Sequence, residues 1–119
     1  MNTQIFNLFS LSFSPNASNE EREYVTKMLI ELYKNPENII NIIDIILNTA
    51  DSKIRFAAAI GLKRCLNDCW KDVSETKLSS QVKTLFFELL RNESDLTIAY
   101  NIINAFEPVL ETEAANWEQ

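Results

Sequence analysis

Histidine is absent from this chain of 119 residues, glycine occurs once, proline three times and cysteine twice. Each shortage excludes something. Without histidine the commonest general base is missing, and the carboxylates are scattered along the chain instead of converging on a readable motif, so no catalytic residue and no enzymatic activity are expected. One glycine cannot build a phosphate-cradling loop. So few glycines and prolines would also leave a β-sandwich without its turns, which makes all-α the default class. Cys65 and Cys69 sit one helical turn apart, yet no third or fourth Cys or His exists to complete a zinc site. They read as buried packing, with no metal and no cofactor implied. No run reaches the roughly 20 apolar residues of a membrane span. The opening "MNTQIFNLFSLSFS" lacks a basic region and is broken at Ser10, Ser12 and Ser14, so it fails as a signal peptide and an intracellular, soluble protein is expected. A formal charge of −6 disfavours nucleic acid, whose phosphates need clustered Lys and Arg.

What is present is the composition of one folded domain. Apolar residues make up 46% and charged residues 24%, and 119 residues can bury a core without disulfides or metal. The helices follow from their punctuation. Ile5, Leu8, Phe9 and Phe13 share a face of a short first helix from Thr3 to about Ser12, which Ser14-Pro15 stops. Ser18 with Glu21 three residues on is a capping box for a second helix carrying Val25, Met28, Leu29 and Leu32 to about Lys34. Asn35, Pro36 and Glu37 suit the start of a third. Its body, "NIINIIDIILN", is rich in β-branched residues but lacks strict alternation. Asn38, Asn41, Asp44 and Asn48 recur every three or four residues as a polar strip, which favours helix over strand.

"IRFAAAIGLKRCLNDCW", from Ile54 to Trp70, places Ile54, Ala58, Leu62, Cys65 and Cys69 on one side of a fourth helix. Phe56, Ala59 and Leu66 widen the apolar surface, so this helix must pack against more than one neighbour. Gly61 inside it costs about 1 kcal/mol against Ala and points to close approach by another helix. Val82, Leu85, Phe86, Leu89 and Leu90 mark a fifth. A sixth starts at Asp95 with Ile98, Ile102, Phe106 and Val109, and Pro108 should kink or end it.

An internal repeat runs through the second half. "DIILNTADSKIRFAAAIGL" from Asp44 and "ELLRNESDLTIAYNIINAF" from Glu88 align without a gap at an offset of 44 residues. Asp51 matches Asp95, Ile54 matches Ile98, Ala58 matches Ile102 and Leu62 matches Phe106. Each unit is a helix, a tight turn holding an Asp, and a second helix. Helix pairs repeating every 40–47 residues, or about that, are the signature of HEAT or armadillo repeats.

"LFSLSFSPNASNEEREYVTKML" followed by "KNPENIINIIDIILNTADSKIRFAAAIGLKRCLNDCW" resembles the N-terminal domain of importin-beta-type nuclear transport receptors. Ser14-Pro15, Leu32 and Pro36, Ile54-Arg55, Ala58, Leu62-Lys63 and Trp70 carry the resemblance, and Trp117 stands where that family has a closing Trp-Pro. Arg64 replaces the usual Asn, Pro108 interrupts a helix that the family keeps continuous, and Glu118 replaces the Pro after Trp117. The resemblance implies a HEAT-repeat right-handed α-solenoid over residues 1–119, with about three antiparallel helix pairs at 3–34, 36–70 and 78–111. It also implies a turn ladder in which Asp51 and Arg55 hydrogen-bond between stacked repeats. Beside Asp95 the Arg is replaced by Ala99.

As to function, the resemblance implies binding of Ran in its GTP form, nucleocytoplasmic protein transport and shuttling between cytoplasm and nucleus through the pore. Nucleoporins and cargo proteins would be reached through a longer parent chain. Lys63 is the first candidate contact, with Arg64 and Asn67 following on the same helix; exposed helix charges otherwise are solvated and contribute little. A generic HEAT scaffold or adaptor, binding another protein in its groove, is the alternative. The C-terminal end is expected to be the least stable part, because Phe106, Val109, Leu110 and Trp117 would have no following repeat to cover them.

Overall fold

The computed structural model describes the backbone of residues 3–117 and the side chains of residues 3–114. Over these residues the chain forms helices and no strand: α1 (Thr3–Ser12), α2 (Asn19–Tyr33), α3 (Glu37–Asn48), α4 (Ser52–Val73), α5 (Lys77–Asn92), α6 (Leu96–Ala105) and α7 (Glu107–Trp117). None is long and apolar enough to cross a membrane.

Local chemistry sets most of the boundaries. Ser18 Oγ accepts from Glu21 N at 3.1 Å while Ser18 N donates to Glu21 Oε1 at 3.3 Å, closing the capping box of α2. Asn35 Oδ1 accepts from Glu37 N at 3.0 Å and so caps α3 across Pro36. Asp51 Oδ1 accepts from Lys53 N at 2.9 Å at the start of α4. Asp95 Oδ1 does the same for α6, accepting from Thr97 N at 2.9 Å and Ile98 N at 3.2 Å. The two repeat-related aspartates are therefore both N-caps, each satisfying donors that the helix itself leaves free.

Helix α3 is buried almost all round, with Ile39, Ile42, Ile43, Ile45 and Ile46 inside. Its β-branched run is helical because neighbours surround it: α1, α2, α4 and α5 all pack against it. Asn38 is a correction to the polar strip. It is buried, and its Nδ2 donates to Leu32 O at 2.7 Å while its Oδ1 accepts from Asn41 Nδ2 at 2.9 Å. The last turn of α2 leaves carbonyls without intrahelical donors, and Asn38 supplies one from the next helix.

Helix α4 is the centre of the molecule and packs against all six others, most extensively against α6 and α3. This is why its apolar surface is wider than a stripe. Its equivalent one repeat later is split. A shift of 44 residues carries Ser52–Val73 onto residues 96–117, the span of α6 and α7 together. Pro108 explains the break, since it has no N–H to give and its ring conflicts with the carbonyl of Asn104 in a continuous helix.

The expected bare C-terminal face needs correcting in part. Phe106 and Val109 are buried, Phe106 with its ring centroid 4.4 Å from that of Phe86, whereas Leu110 is exposed as expected. Beyond the break at Phe106, α7 still packs on α4, where Trp70 Nε1 donates to Thr112 Oγ1 at 3.1 Å, and a Lys83–Glu113 ion pair ties α7 to α5. The side chain of Trp117 lies outside the described residues. The molecule is elongated, with extents of 52 × 29 × 21 Å.

Candidate partner-binding surface

Lys63, Arg64 and Asn67 lie on the one side of α4 that no helix covers, with Ile60, Asp68 and Lys71 on the same strip. Lys63 and Asn67 make no side-chain hydrogen bond or ion pair among the described residues. Arg64 is partly engaged: its Nε stands 3.7 Å from Asp68 Oδ2, one turn along, with both side chains well exposed. In water such a pair is worth little and leaves the guanidinium free to be recruited. Ile60, about half exposed, places an apolar contact one turn before Lys63.

The rotation of α4 that presents this strip is set from behind. A Cβ on Gly61 would come within 2.6 Å of the Tyr33 hydroxyl and 2.9 Å of Phe9 Cζ, so only glycine lets α1 and α2 approach this closely. Cys69 Sγ donates to Tyr33 O at 3.1 Å and Cys65 Sγ lies 3.9 Å from Asn35 O. Together with Asn38 they supply donors to carbonyls at and just beyond the end of α2. Two residues along a helix turn it by about 200°, so Lys63, two from both Gly61 and Cys65, points away from that contact. Burial pushes the Cys65 thiol well above its ordinary range, with the neighbouring sulfur adding to the effect, and raises the Cys69 thiol as well. Tyr33 is pushed up to about 12, chiefly by burial. These groups are neutral packing elements under the surface.

The turn residues are placed by a different set of contacts from the one expected. Arg55 does not pair with an aspartate. Its Nε donates to Glu93 Oε1 at 3.0 Å and its Nη2 to Glu93 Oε2 at 3.4 Å, while its Nη1 donates to Thr49 O at 3.1 Å and Ala50 O at 2.7 Å. Glu93 Oε2 also accepts from Asp95 N at 3.2 Å. The rung between the two turns is thus Arg55–Glu93, with the Glu93 side chain only 3% exposed, and Asp51 and Asp95 serve as helix caps. Alongside it Ile46 and Leu47 of α3 face Leu89 and Asn92 of α5. Charge changes sign along the strip's repeat: the 44-residue offset carries Lys63 onto Glu107 and Asn67 onto Glu111. The cationic patch therefore belongs to α4.

Glu93, Ile60 and Asp68 were not singled out from sequence, and Asn38 was read as part of a polar strip, not as a buried donor. Glu93 had a visible signal, since the repeat alignment puts an acid at 93 opposite Thr49 while removing the Arg at Ala99. An Arg in one unit and an acid in the next can pair only across the seam. No group of three or more His, Cys, Asp or Glu among the described residues is arranged to hold a metal ion.

Among the described residues the chain is all-helical, with a 44-residue internal repeat in its sequence, a central helix touching every other and a charged strip left open on it. Residues 18–91, more than half of the chain, match the importin-beta N-terminal domain family, and the chain belongs to that family. No curated protein and no solved structure matches it.

Proposed function

We propose that the chain is a Ran-GTP-binding N-terminal segment of an importin-beta-like nuclear transport receptor, with Lys63, Arg64 and Asn67 of α4 at the contact. It acts by binding, without catalysis, in protein transport between cytoplasm and nucleus, and nucleoporins or cargo are engaged through further parts of a parent chain. The observation that carries this reading is the family match over residues 18–91 together with the open strip on α4. In architecture the proposal is a right-handed HEAT solenoid of three antiparallel pairs, α1–α2, α3–α4 and α5 with α6–α7. Supporting it, α5 lies on α3, α4 lies on α2, and α6 lies on α4, as two rows of stacked helices require.

The physical logic is electrostatic. A lysine without an internal partner and an arginine in a weak exposed pair keep their charges available, and a fixed backbone orients them before the partner arrives. The test is a pulldown of Ran in GTP-locked and GDP-loaded forms by the 119-residue chain. Retention of the GTP form alone is expected. Equal retention of both, or of neither, overturns the assignment and leaves the generic scaffold.

A further inference from the structure

Thr49, at the end of α3, has a buried hydroxyl that no described residue answers with a hydrogen bond. It is the one such side-chain atom among the described residues. Burying a hydroxyl without a partner is costly, and folded proteins do it rarely. The same residue lines a cavity of 170 Å³ at the seam between the two repeat units, with Arg55, Asn92, Glu93 and Ser94 among its polar walls and Ile46 and Leu89 among its apolar ones. The other side of the seam is closed: α4 packs closely on α6, and Ala58, Leu62 and Ile102 are all 0% exposed.

The polar groups around the cavity have capacity left. The bonds of Arg55 to Glu93, Thr49 O and Ala50 O use every N–H of the guanidinium except the second on Nη2. On Glu93, Oε2 accepts from Arg55 Nη2 and from Asp95 N, whereas Oε1 accepts from Arg55 Nε alone among the described residues. Asn92 Nδ2 donates to Glu88 O at 2.8 Å, which leaves its Oδ1 able to accept. Donors and acceptors are thus both to spare on the walls of one cavity.

We propose that the cavity is a binding site for an ordered water, which bonds to Thr49 Oγ1 and to the spare groups of Arg55 and Glu93 and completes the rung between the units. Such a site needs roughly 10–15 Å³ of space and about 2–4 polar partners, and both are present. An apolar occupant would leave the hydroxyl unanswered. The water also solves a problem of the rung itself. The Glu93 side chain is only 3% exposed, and an ion pair so far from solvent is stable only when its remaining lone pairs and protons are satisfied. Nothing in this depends on what binds the Lys63 strip.

Two measurements on the intact chain test the proposal. Thr49→Val keeps the shape of the side chain and removes only the hydroxyl. With a water bound, the variant breaks a bridge to Arg55 and Glu93 and should melt a few degrees below the parent. A variant that melts with the parent or above it shows that the hydroxyl was a buried orphan, and overturns the proposal. A crystal structure of the parent, at a resolution that shows ordered water, should place one within hydrogen-bond distance of Thr49 Oγ1 and of Arg55 Nη2 or Glu93 Oε1. Absence of that water, or a Thr49 hydroxyl turned to a protein partner instead, overturns it as well, whatever the variant's melting temperature.

Discussion

Gly61 decides where Lys63 points. Exchanging it for alanine would gain about 1 kcal/mol of helix propensity, but the new methyl would press on the buried side chains of Tyr33 and Phe9. Overpacking of that kind costs about 1–3 kcal/mol. Gly61→Ala should therefore lower the unfolding free energy by about 1 kcal/mol net, the opposite sign from a Gly→Ala exchange at an open helical site, and urea unfolding measures it. The close approach at Gly61 was legible in the sequence because glycine is so scarce. The buried Asn38 was not: its spacing matches the polar strip, and only the neighbouring end of α2 draws it inside.

The same cluster gives a pH dependence. Burial raises both thiols from their ordinary value of 9.0, and raises Tyr33 from 10.0 to about 12. The folded chain thus keeps protons that the unfolded chain releases. Groups with raised folded values contribute stability that is fully present below the unfolded value and lost as pH rises beyond it. Melting temperature should hold from neutral pH to about 9 and fall above it, and the fall should begin at higher pH in a Cys65→Ala, Cys69→Ala variant. An identical alkaline limb in both proteins would show that the thiols carry none of it.

Among the elements, the seam between the two repeat units is pinned by one guanidinium. Removing its partner leaves a largely buried charge held only by two carbonyls, so Glu93→Ala should cost about 3 kcal/mol of stability in thermal or urea unfolding. A loss below a few tenths of a kcal/mol would mean that Arg55 finds water or another acceptor at no cost. The start of α2 was readable because its capping box is local, Ser18 acting within three residues of itself, whereas Asp51 and Asp95 were read as turn residues of a ladder and the structure makes them caps. The Arg55–Glu93 rung spans the seam and was not readable from either turn alone. The break at Pro108 followed from proline chemistry, but the burial of Phe106 and Val109 depended on where α7 goes afterwards. With α6 and α7 short and the face beyond them open, hydrogen exchange should protect residues 52–66 more strongly than residues 95–111. Equal or inverted protection would contradict the picture of α4 as the stable centre.

At the scale of the whole molecule, the all-helical class and the family were both legible. The first followed from the shortage of turn residues and the 3.6-residue periodicity, the second from the order of Ser14-Pro15, Pro36, Ile54-Arg55 and Leu62-Lys63. Which face stays open was only half legible, because α4 is apolar over most of its circumference and the pattern alone does not say which neighbour takes which side. The structure leaves Lys63, Arg64 and Asn67 outside all of them. The most direct measurement is the affinity for Ran-GTP of the parent chain and of a Lys63→Ala, Arg64→Ala variant, each at low and moderate salt and beside its melting temperature. The variant should melt within a degree or two of the parent, since exposed charges add about 0–1 kcal/mol, and should bind at least tenfold more weakly, with the gap narrowing as salt screens the attraction. Undiminished affinity in a normally folded variant would remove these residues from the contact, and no binding by the parent chain would contradict the proposed function itself.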